Sequence, residues 1–394
     1  MIDYNSMLGK TAVEIKPSGI RKYFDIAATM DDVISLGVGE PDFTTPWQVR
    51  RAAIISLERG KTAYTANAGL IKLRRAISDY TYNKTGVRYD PAKEIIVTVG
   101  GSEAIDITVR TLINPGDEVI IPEPSFVCYK PIVMLAGGVP VVVETKASDS
   151  FKLTPEALKE AITPKTKLLV LPYPNNPTGA IMTKNDLEPI AKILRDTNIA
   201  VLTDEIYSEL TYGKEHFSII SLEGMRERTI FVNGFSKAFA MTGWRLGYLC
   251  APAEIVKHAL KIHQFGIMSS PTASQYAAIE ALSSCEDDVK KMTSEYDMRR
   301  RYLINAFNEL GLDCFTPEGA FYVFPCIKST GLSSNDFCER LLYSKHVAVI
   351  PGTAFGDSGE GYVRVSYAYS LKHLMEAIKR IKEFLKDLND DKAE

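Results

Sequence analysis

Short β-branched runs separated by helical patterns constrain this chain more than any other feature. The runs are "EIIVTV" (94–99), "DEVIIP" (117–122), "VPVVVET" (139–145), "KLLVLPYP" (167–174), "IAVLTDE" (199–205), "TIFVNGF" (229–235) and "RLGYLCAP" (245–252). Between them lie segments such as "TKNDLEPIAKILRDTN", whose apolar residues recur at helical spacing. Strands alternating with helices over residues 50–280 predict a mostly parallel sheet covered on both faces. The runs are continuously apolar rather than alternating, which agrees with burial on both sides. Beyond about residue 285 the pattern changes. "EYDMRRRYLINAFNELG" reads as a charged amphipathic helix, and "AFYVFPCI" and "GYVRVSYA" as strands. The final "LKHLMEAIKRIKEFLKDLN" sets Leu374, Ile378, Ile381, Leu385 and Leu388 along one stripe. The expected class is α/β: a large domain with a mostly parallel sheet covered by helices, plus a smaller α+β domain built from N- and C-terminal segments. A length of 394 residues suits two domains. The expected division is 1–45, irregular and Pro/Gly-punctuated, crossing over to join the small domain; 46–285, the large domain; and 286–394, the small C-terminal domain.

Composition narrows the partners. The 46 basic and 49 acidic residues leave a net charge of -3, with no basic excess for nucleic acid and no charged tail. The six cysteines, Cys128, Cys250, Cys285, Cys314, Cys326 and Cys338, form no C-x-x-C pair. Neither a zinc knuckle nor a redox motif is offered, and reduced thiols in a cytoplasmic protein are expected. "MIDYNSMLGKTAVEIKPSG" lacks the apolar core of a signal peptide. No apolar run approaches the roughly 20 residues of a membrane helix.

In α/β sheets ligands bind at the carboxyl ends of the strands, so the residues that end each run matter most. "EIIVTV" runs into Gly100-Gly101-Ser102-Glu103-Ala104 and a helix with Ile105, Val109, Leu112 and Ile113 on one face. Glycines admit close backbone approach and a helix N-terminus favours an anion, although a plain strand-to-helix turn would look the same. "GVGEP" (37–41) lacks the third glycine of the dinucleotide fingerprint, and "GGSEA" lacks the P-loop lysine. "KLLVLPYP" leads to Asn175-Asn176-Pro177-Thr178-Gly179, a turn whose amides can orient a planar oxygen-bearing ligand. "IAVLTDE" carries Asp204 with Tyr207 three residues later; this carboxylate is either a helix cap or the partner of a cation. "TIFVNGF" runs into Lys237 in a small-residue loop, and Arg245 follows with a fork suited to phosphate or carboxylate. "GYVRVSYA" sets Arg364 between Val363 and Val365, which requires a pairing partner, structural or functional.

Each signal alone is modest; together they match one ligand. Pyridoxal phosphate wants a helix N-terminus and an arginine for its phosphate, and a lysine for its aldehyde. It wants an acid at the ring nitrogen so that the ring works as an electron sink, and a donor for its phenolic oxygen. The carboxylate of a bound amino acid wants a bidentate arginine.

At this point the chain resembles the class I/II aminotransferases of the fold-type I pyridoxal-phosphate enzymes, the aspartate/aromatic aminotransferase-like group. The likeness runs from "VISLGVGEPDFTTP" to "GYVRVSYA" and rests on "YPNNPTG", "TDEIYSEL" and "SKAFAMTGWRLGY" in that order. The resemblance implies pyridoxal 5'-phosphate as cofactor, bound by residues 46–285. Lys237 would hold it covalently and later shuttle the proton, and Asp204 would pair with the ring nitrogen. Tyr207 and Asn176 would contact the phenolic oxygen. Gly101, Ser102 and Arg245 would take the phosphate with loop N–H groups, including that of Glu103, and Ser236 would assist. Phe126, in "EPSFVCY", stands where the family stacks an aromatic on the ring. Arg364 would bind the substrate carboxylate with Asn176 and the Gly39 backbone. Tyr64, in "KTAYTANAGL", matches a tyrosine that reaches the other subunit's cofactor phosphate, which implies a homodimer with shared active sites. One position departs from the pattern: Gly234 stands where the family often has Ser or Thr three residues before the lysine.

The resemblance implies transfer of an amino group from an α-amino acid, aspartate or aromatic, to a 2-oxo acid such as 2-oxoglutarate, by ping-pong kinetics. Some relatives of this kind act on acylated diaminopimelate. A β-eliminating C–S lyase on the same fold is the alternative. A non-catalytic ligand sensor would need an added DNA-binding region, and the roughly 35 residues before "SLGVGEP" hold no basic helix. No metal, nucleic acid or membrane enters this reading.

Overall fold

The computed structural model describes residues 2–393, and every structural statement below concerns those residues. A short strand, β1 (Ile34–Ser35), precedes the seven apolar runs. These become β2 (Ile95–Thr98), β3 (Glu118–Glu123), β4 (Val139–Glu144), β5 (Thr166–Leu171), β6 (Ala200–Asp204), β7 (Thr229–Gly234) and β8 (Gly247–Cys250). Among the described residues they form one seven-stranded sheet in the order β2-β8-β7-β6-β5-β3-β4. β8 is antiparallel to both of its neighbours, and the remaining pairings are parallel.

Burial on two faces explains the unbroken apolar runs. Leu169 and Leu171 of β5 pack on one side with Leu187, Ile190 and Leu194 of the helix Lys184–Arg195. Their neighbours Leu168 and Val170 face the other way, onto Ile105 and Val109 of Gly101–Leu112 and Val256 of Ala253–Gly266. Alternate residues thus enter opposite cores, as the pleat requires. The helix Lys184–Arg195 starts at a capping box between Thr183 and Asp186.

The C-terminal part holds β9 (Tyr322–Val323), β10 (Val347–Ala348), β11 (Ile350–Pro351) and β12 (Val363–Ser366). β11, β12 and β9 form an antiparallel sheet, and β1 pairs in parallel with β10. Leu36 ties the N-terminal segment in further: its N–H donates to Ala348 O at 2.8 Å and its carbonyl accepts from Ser366 N at 2.8 Å. Leu374, Ile381 and Leu388 of the helix Leu371–Ala393 are buried in one core, and Ile378 and Leu385 pack against it.

Three local expectations change. "AFYVFPCI" keeps only Tyr322–Val323 as a continuous strand; it lapses at Phe324, and Pro325 and Cys326 make isolated bridges to Cys314 and Tyr362. The charged helix is longer than its amphipathic half and runs Glu286–Glu309, opening on Glu286, Asp287 and Asp288, which suit a helix N-terminus. The first 45 residues are not wholly irregular: Gly19–Ala27 is a helix that buries Tyr23 and packs Ile20 on the C-terminal core.

Candidate active site

β2, β3, β5, β6 and β7 all end at one edge of the sheet; antiparallel β8 begins there, which brings Arg245 to the same edge. A cavity of about 340 Å³ opens at this edge, between the sheet and the C-terminal segments.

Lys237 follows β7 by three residues and enters the cavity. Its Nζ donates to Gly39 O and stands 5.8 Å from the Tyr207 ring centre and 5.6 Å from that of Phe321. Burial pulls its pKa down to about 8; Glu40 opposes that fall, and Arg364 and Arg245 add to it. An amine near 8 supplies a neutral, nucleophilic fraction at neutral pH. The loop before it is small for a steric reason. A Cβ on Gly234 would lie 3.1 Å from Gly247 Cα and 3.2 Å from Leu246 O, so backbone meets backbone there.

The helix Gly101–Leu112 points its N-terminus into the cavity through Gly101 and Ser102. Gly100 adopts φ 80°, which glycine takes without strain. Arg245 lies against it: a Cβ on Gly100 would be 2.7 Å from Arg245 Nη2. Arg245 Nη1 donates to Thr242 O at 3.1 Å, and among the described residues no carboxylate pairs with it. Free N–H groups of a first helical turn beside an unpaired guanidinium form an anion cradle.

Asp204 closes β6 and is 8% exposed. Tyr129 Oη donates to its Oδ2 at 2.7 Å and the Ile206 N–H to its Oδ1 at 3.2 Å. Burial raises its pKa, and these two hydrogen bonds pull it back. Tyr207 meets Tyr322 hydroxyl to hydroxyl at 2.8 Å. Phe126 lines the cavity with its ring edge-to-face on Tyr129, centroids 6.3 Å apart.

Arg364 in β12 is 2% exposed. Nη1 donates to Asn176 Oδ1 at 2.9 Å, Nη2 donates to Gly37 O, and Nε finds no partner. Its guanidinium carbon lies 4.5 Å from the Tyr322 ring centre and 4.7 Å from that of Phe355. Among the described residues no carboxylate offsets this buried charge, so the structural ion pair left open by the sequence is absent. Such a cation is costly unless an anion binds beside it.

Of the residues singled out in sequence, Gly39, Asn176, Ser236, Lys237, Arg245 and Arg364 line this one cavity. Gly101, Ser102, Phe126, Asp204 and Tyr207 line it too. Two do not. The Glu103 side chain turns away, accepting from the Val99 N–H and meeting His263 Nδ1 at 2.6 Å, so only its backbone remains near the cradle. Tyr64 is 81% exposed and stands outside the cavity of its own chain. Sequence reasoning missed Tyr129, Tyr322, Glu40, Val38 and Ile20, which also line the cavity. Tyr129 stands three residues after Phe126 in "EPSFVCY", at the start of the helix Tyr129–Leu135, and reads as core from sequence.

The cavity therefore combines an anion cradle, a buried carboxylate, a lysine of lowered pKa and a second, unpaired guanidinium. That donor set fits a phosphorylated, protonated pyridine aldehyde together with a substrate carboxylate.

Comparison with known proteins agrees. The family model "Aminotransferase class I and II" matches residues 31–381. YugH of Bacillus subtilis (strain 168), provisionally named an aminotransferase, is 54% identical over 96% of this chain and 98% of its own. The aspartate aminotransferase of Pyrococcus abyssi (strain GE5 / Orsay) is 46% identical over 95% of this chain and 97% of its own. The crystal structure of an aromatic aminotransferase from Pyrococcus horikoshii OT3 superposes with a TM-score of 0.89 at 44% identity, covering 93% of this chain and 99% of that one. Family model, relatives and fold lead to one conclusion: this chain belongs to the class I and II aminotransferases and is a pyridoxal-phosphate-dependent transaminase.

Proposed function

We propose that transamination is carried out in this cavity by Lys237, Asp204 and Tyr207, with Arg364 fixing the substrate. When bound, the cofactor supplies an electron sink and a carrier for the amino group. Lys237 would anchor it and would hold and move the proton at its Nζ. Asp204 holds the ring nitrogen and Tyr207 the phenolic oxygen, with Asn176 beside it. Gly101, Ser102, Ser236, Arg245 and the N–H of Glu103 hold the phosphate, and Phe126 covers the ring. Arg364 takes the α-carboxylate with Asn176 and the Gly39 backbone. One substrate leaves as a 2-oxo acid before the next enters, which gives ping-pong kinetics.

The observation that carries this reading is the buried guanidinium of Arg364, without a carboxylate partner, lining the same cavity as Lys237. For the amino donor we propose aspartate or an aromatic amino acid. Relatives named for both lie at similar identity. Ile20, Val38 and Tyr322 offer apolar surface for an aromatic side chain. Lys237, Arg245 and Arg364 are the cations among the described lining residues, so a distal carboxylate needs a cation from elsewhere, for which a partner subunit is the natural source. A panel of amino donors with 2-oxoglutarate as acceptor tests the choice.

We also propose a homodimer with shared sites. Tyr64 is exposed on a segment held by Asn67 Nδ2 to Met268 O at 2.9 Å and Thr272 Oγ1 to Ala63 O at 2.8 Å. Exposed Trp47, Ile54 and Leu57 on the helix Trp47–Glu58, and Phe265 at 89%, supply apolar surface for an interface. A two-body division at 1–45 with 286–394 against 46–285 fits the pairing of β1 with β10. A cytoplasmic setting fits six free cysteines and the lack, among the described residues, of a helix long and apolar enough to cross a membrane.

A further inference from the structure

Asp204 is the one acid that lines the cavity from the buried end of a sheet strand, and its anionic form needs help there. The carboxylate is 8% exposed, and burial disfavours the charge. Ionisable groups around it come from several elements: Cys128 and Tyr129 at the start of the helix Tyr129–Leu135, Glu205 and Tyr207 just beyond β6, and Lys237 beyond β7. Glu205 works against the charge and Lys237 for it. The thiol of Cys128 and the phenols of Tyr129 and Tyr207 all have pKa values raised by burial, so they stay neutral.

Only two donors touch the carboxylate among the described residues, and each takes a different oxygen. The Ile206 N–H donates to Oδ1 at 3.2 Å. Tyr129 Oη donates to Oδ2 at 2.7 Å, and the phenol is itself 3% exposed. The geometry of the tyrosine bond is the shorter and the more buried. A hydrogen bond to the charged form of an acid favours that form, and in a low-dielectric interior it does so strongly.

We propose that Tyr129 is a positioning residue of the transamination: its hydroxyl fixes the Asp204 carboxylate in orientation and keeps it anionic for the cofactor's ring nitrogen. The proposal rests on the reading of Asp204 given above. Two further contacts hold the phenol in place. Its ring packs edge-to-face on Phe126, and it sits in the core beneath the helices Gly101–Leu112 and Ala253–Gly266. The same side chain therefore links the aromatic over the ring site to the acid at its nitrogen. Tyr129→Phe removes one oxygen and leaves that packing.

The test begins with the apoprotein, so that it does not depend on catalysis. Carboxyl carbons of aspartate are labelled with ¹³C, Asp204 is assigned by the signal lost in Asp204→Asn, and its titration is followed by NMR. Tyr129→Phe is expected to move the Asp204 midpoint to higher pH by about one to two units. In the loaded enzyme the acid limb of the kcat/KM profile is expected to move in the same direction, and kcat to fall more than KM rises. Replacing Tyr129 site-specifically by 3,5-difluorotyrosine keeps the shape, strengthens the donor and is expected to move the midpoint to lower pH. That variant decides the matter if Tyr129→Phe does not fold. A midpoint that stays at the wild-type value in whichever variant folds overturns the proposal. Failure of the underlying reading looks different: Asp204→Ala would leave the visible spectrum of the loaded enzyme unchanged, whatever the apoprotein titration shows.

Discussion

Arg364 Nη1 donates to Asn176 Oδ1 at 2.9 Å across a separation of 188 residues. The arginine comes from β12 and the amide from the loop after β5, so the bond joins the C-terminal segments to the end of the large sheet. It leaves Nε without a partner and points a buried cation at the cavity.

Arg364→Leu therefore should weaken every α-amino acid alike. A charge-assisted hydrogen bond is worth about 1.5–3 kcal/mol, so each lost contact should lower kcat/KM by roughly 10- to 150-fold. Steady-state kinetics on aspartate, phenylalanine and alanine check this. A loss confined to dicarboxylic substrates would place Arg364 at the distal end of the pocket.

The lowered pKa of Lys237 gives two pH effects. Cofactor capture by the apoprotein needs the neutral amine, so its rate should rise about tenfold per unit up to pH about 8 and then level. The folded value is below the 10.5 of an ordinary lysine, so between about 8 and 10.5 the unfolded chain binds the extra proton. This group's contribution to stability therefore grows as pH rises through that window and is lost on going down to 8. Urea denaturation of the apoprotein should show the rise, and Lys237→Ala should remove it. Lys237→Ala should also abolish transamination.

Gly234 stands where many relatives of this fold are expected to carry Ser or Thr, and its surroundings argue against restoring one. A Cβ would press on Gly247 Cα at 3.1 Å and Leu246 O at 3.2 Å. Gly234→Ser should cost about 1–3 kcal/mol, the usual penalty of overpacking, without tightening cofactor binding. Thermal melts of the apoprotein and cofactor titration measure the two quantities.

Much of this was legible in sequence, and the reasons are physical. The strand runs read correctly because a strand buried on both faces is apolar throughout, as β5 is with Leu168 to Leu171. Asp204, Lys237 and Arg245 stood out because a polar residue at the end of such a run has few other uses. Tyr129 and Tyr322 did not stand out: each reads as core, and only the fold brings the first to Asp204 and the second to Tyr207. Glu103 enters the sequence reading through its backbone N–H alone, and its carboxylate is engaged elsewhere, reaching back to Val99 and across to His263.

Tyr64 tests the shared site. Mixing Lys237→Ala and Tyr64→Ala homodimers should generate hybrids in which one site has every wild-type group and the other lacks both. Activity should rise on mixing toward one working site per hybrid. Subunit exchange is followed by a tag on one variant, and Tyr64→Ala must itself be impaired. Flat activity after proven exchange would remove Tyr64 from the partner's site.

The most direct test of the account is a single turnover without acceptor. Loaded enzyme is mixed with aspartate or phenylalanine and no 2-oxo acid, and the 2-oxo product is counted per site. The account predicts one equivalent per site and then a stop, with turnover resuming when 2-oxoglutarate is added. Lys237→Ala should give none. Absence of any 2-oxo product in that first turnover would contradict it, and continuous release of pyruvate, ammonia and a thiol from an S-alkylcysteine offered in place of aspartate would mark an eliminating lyase instead.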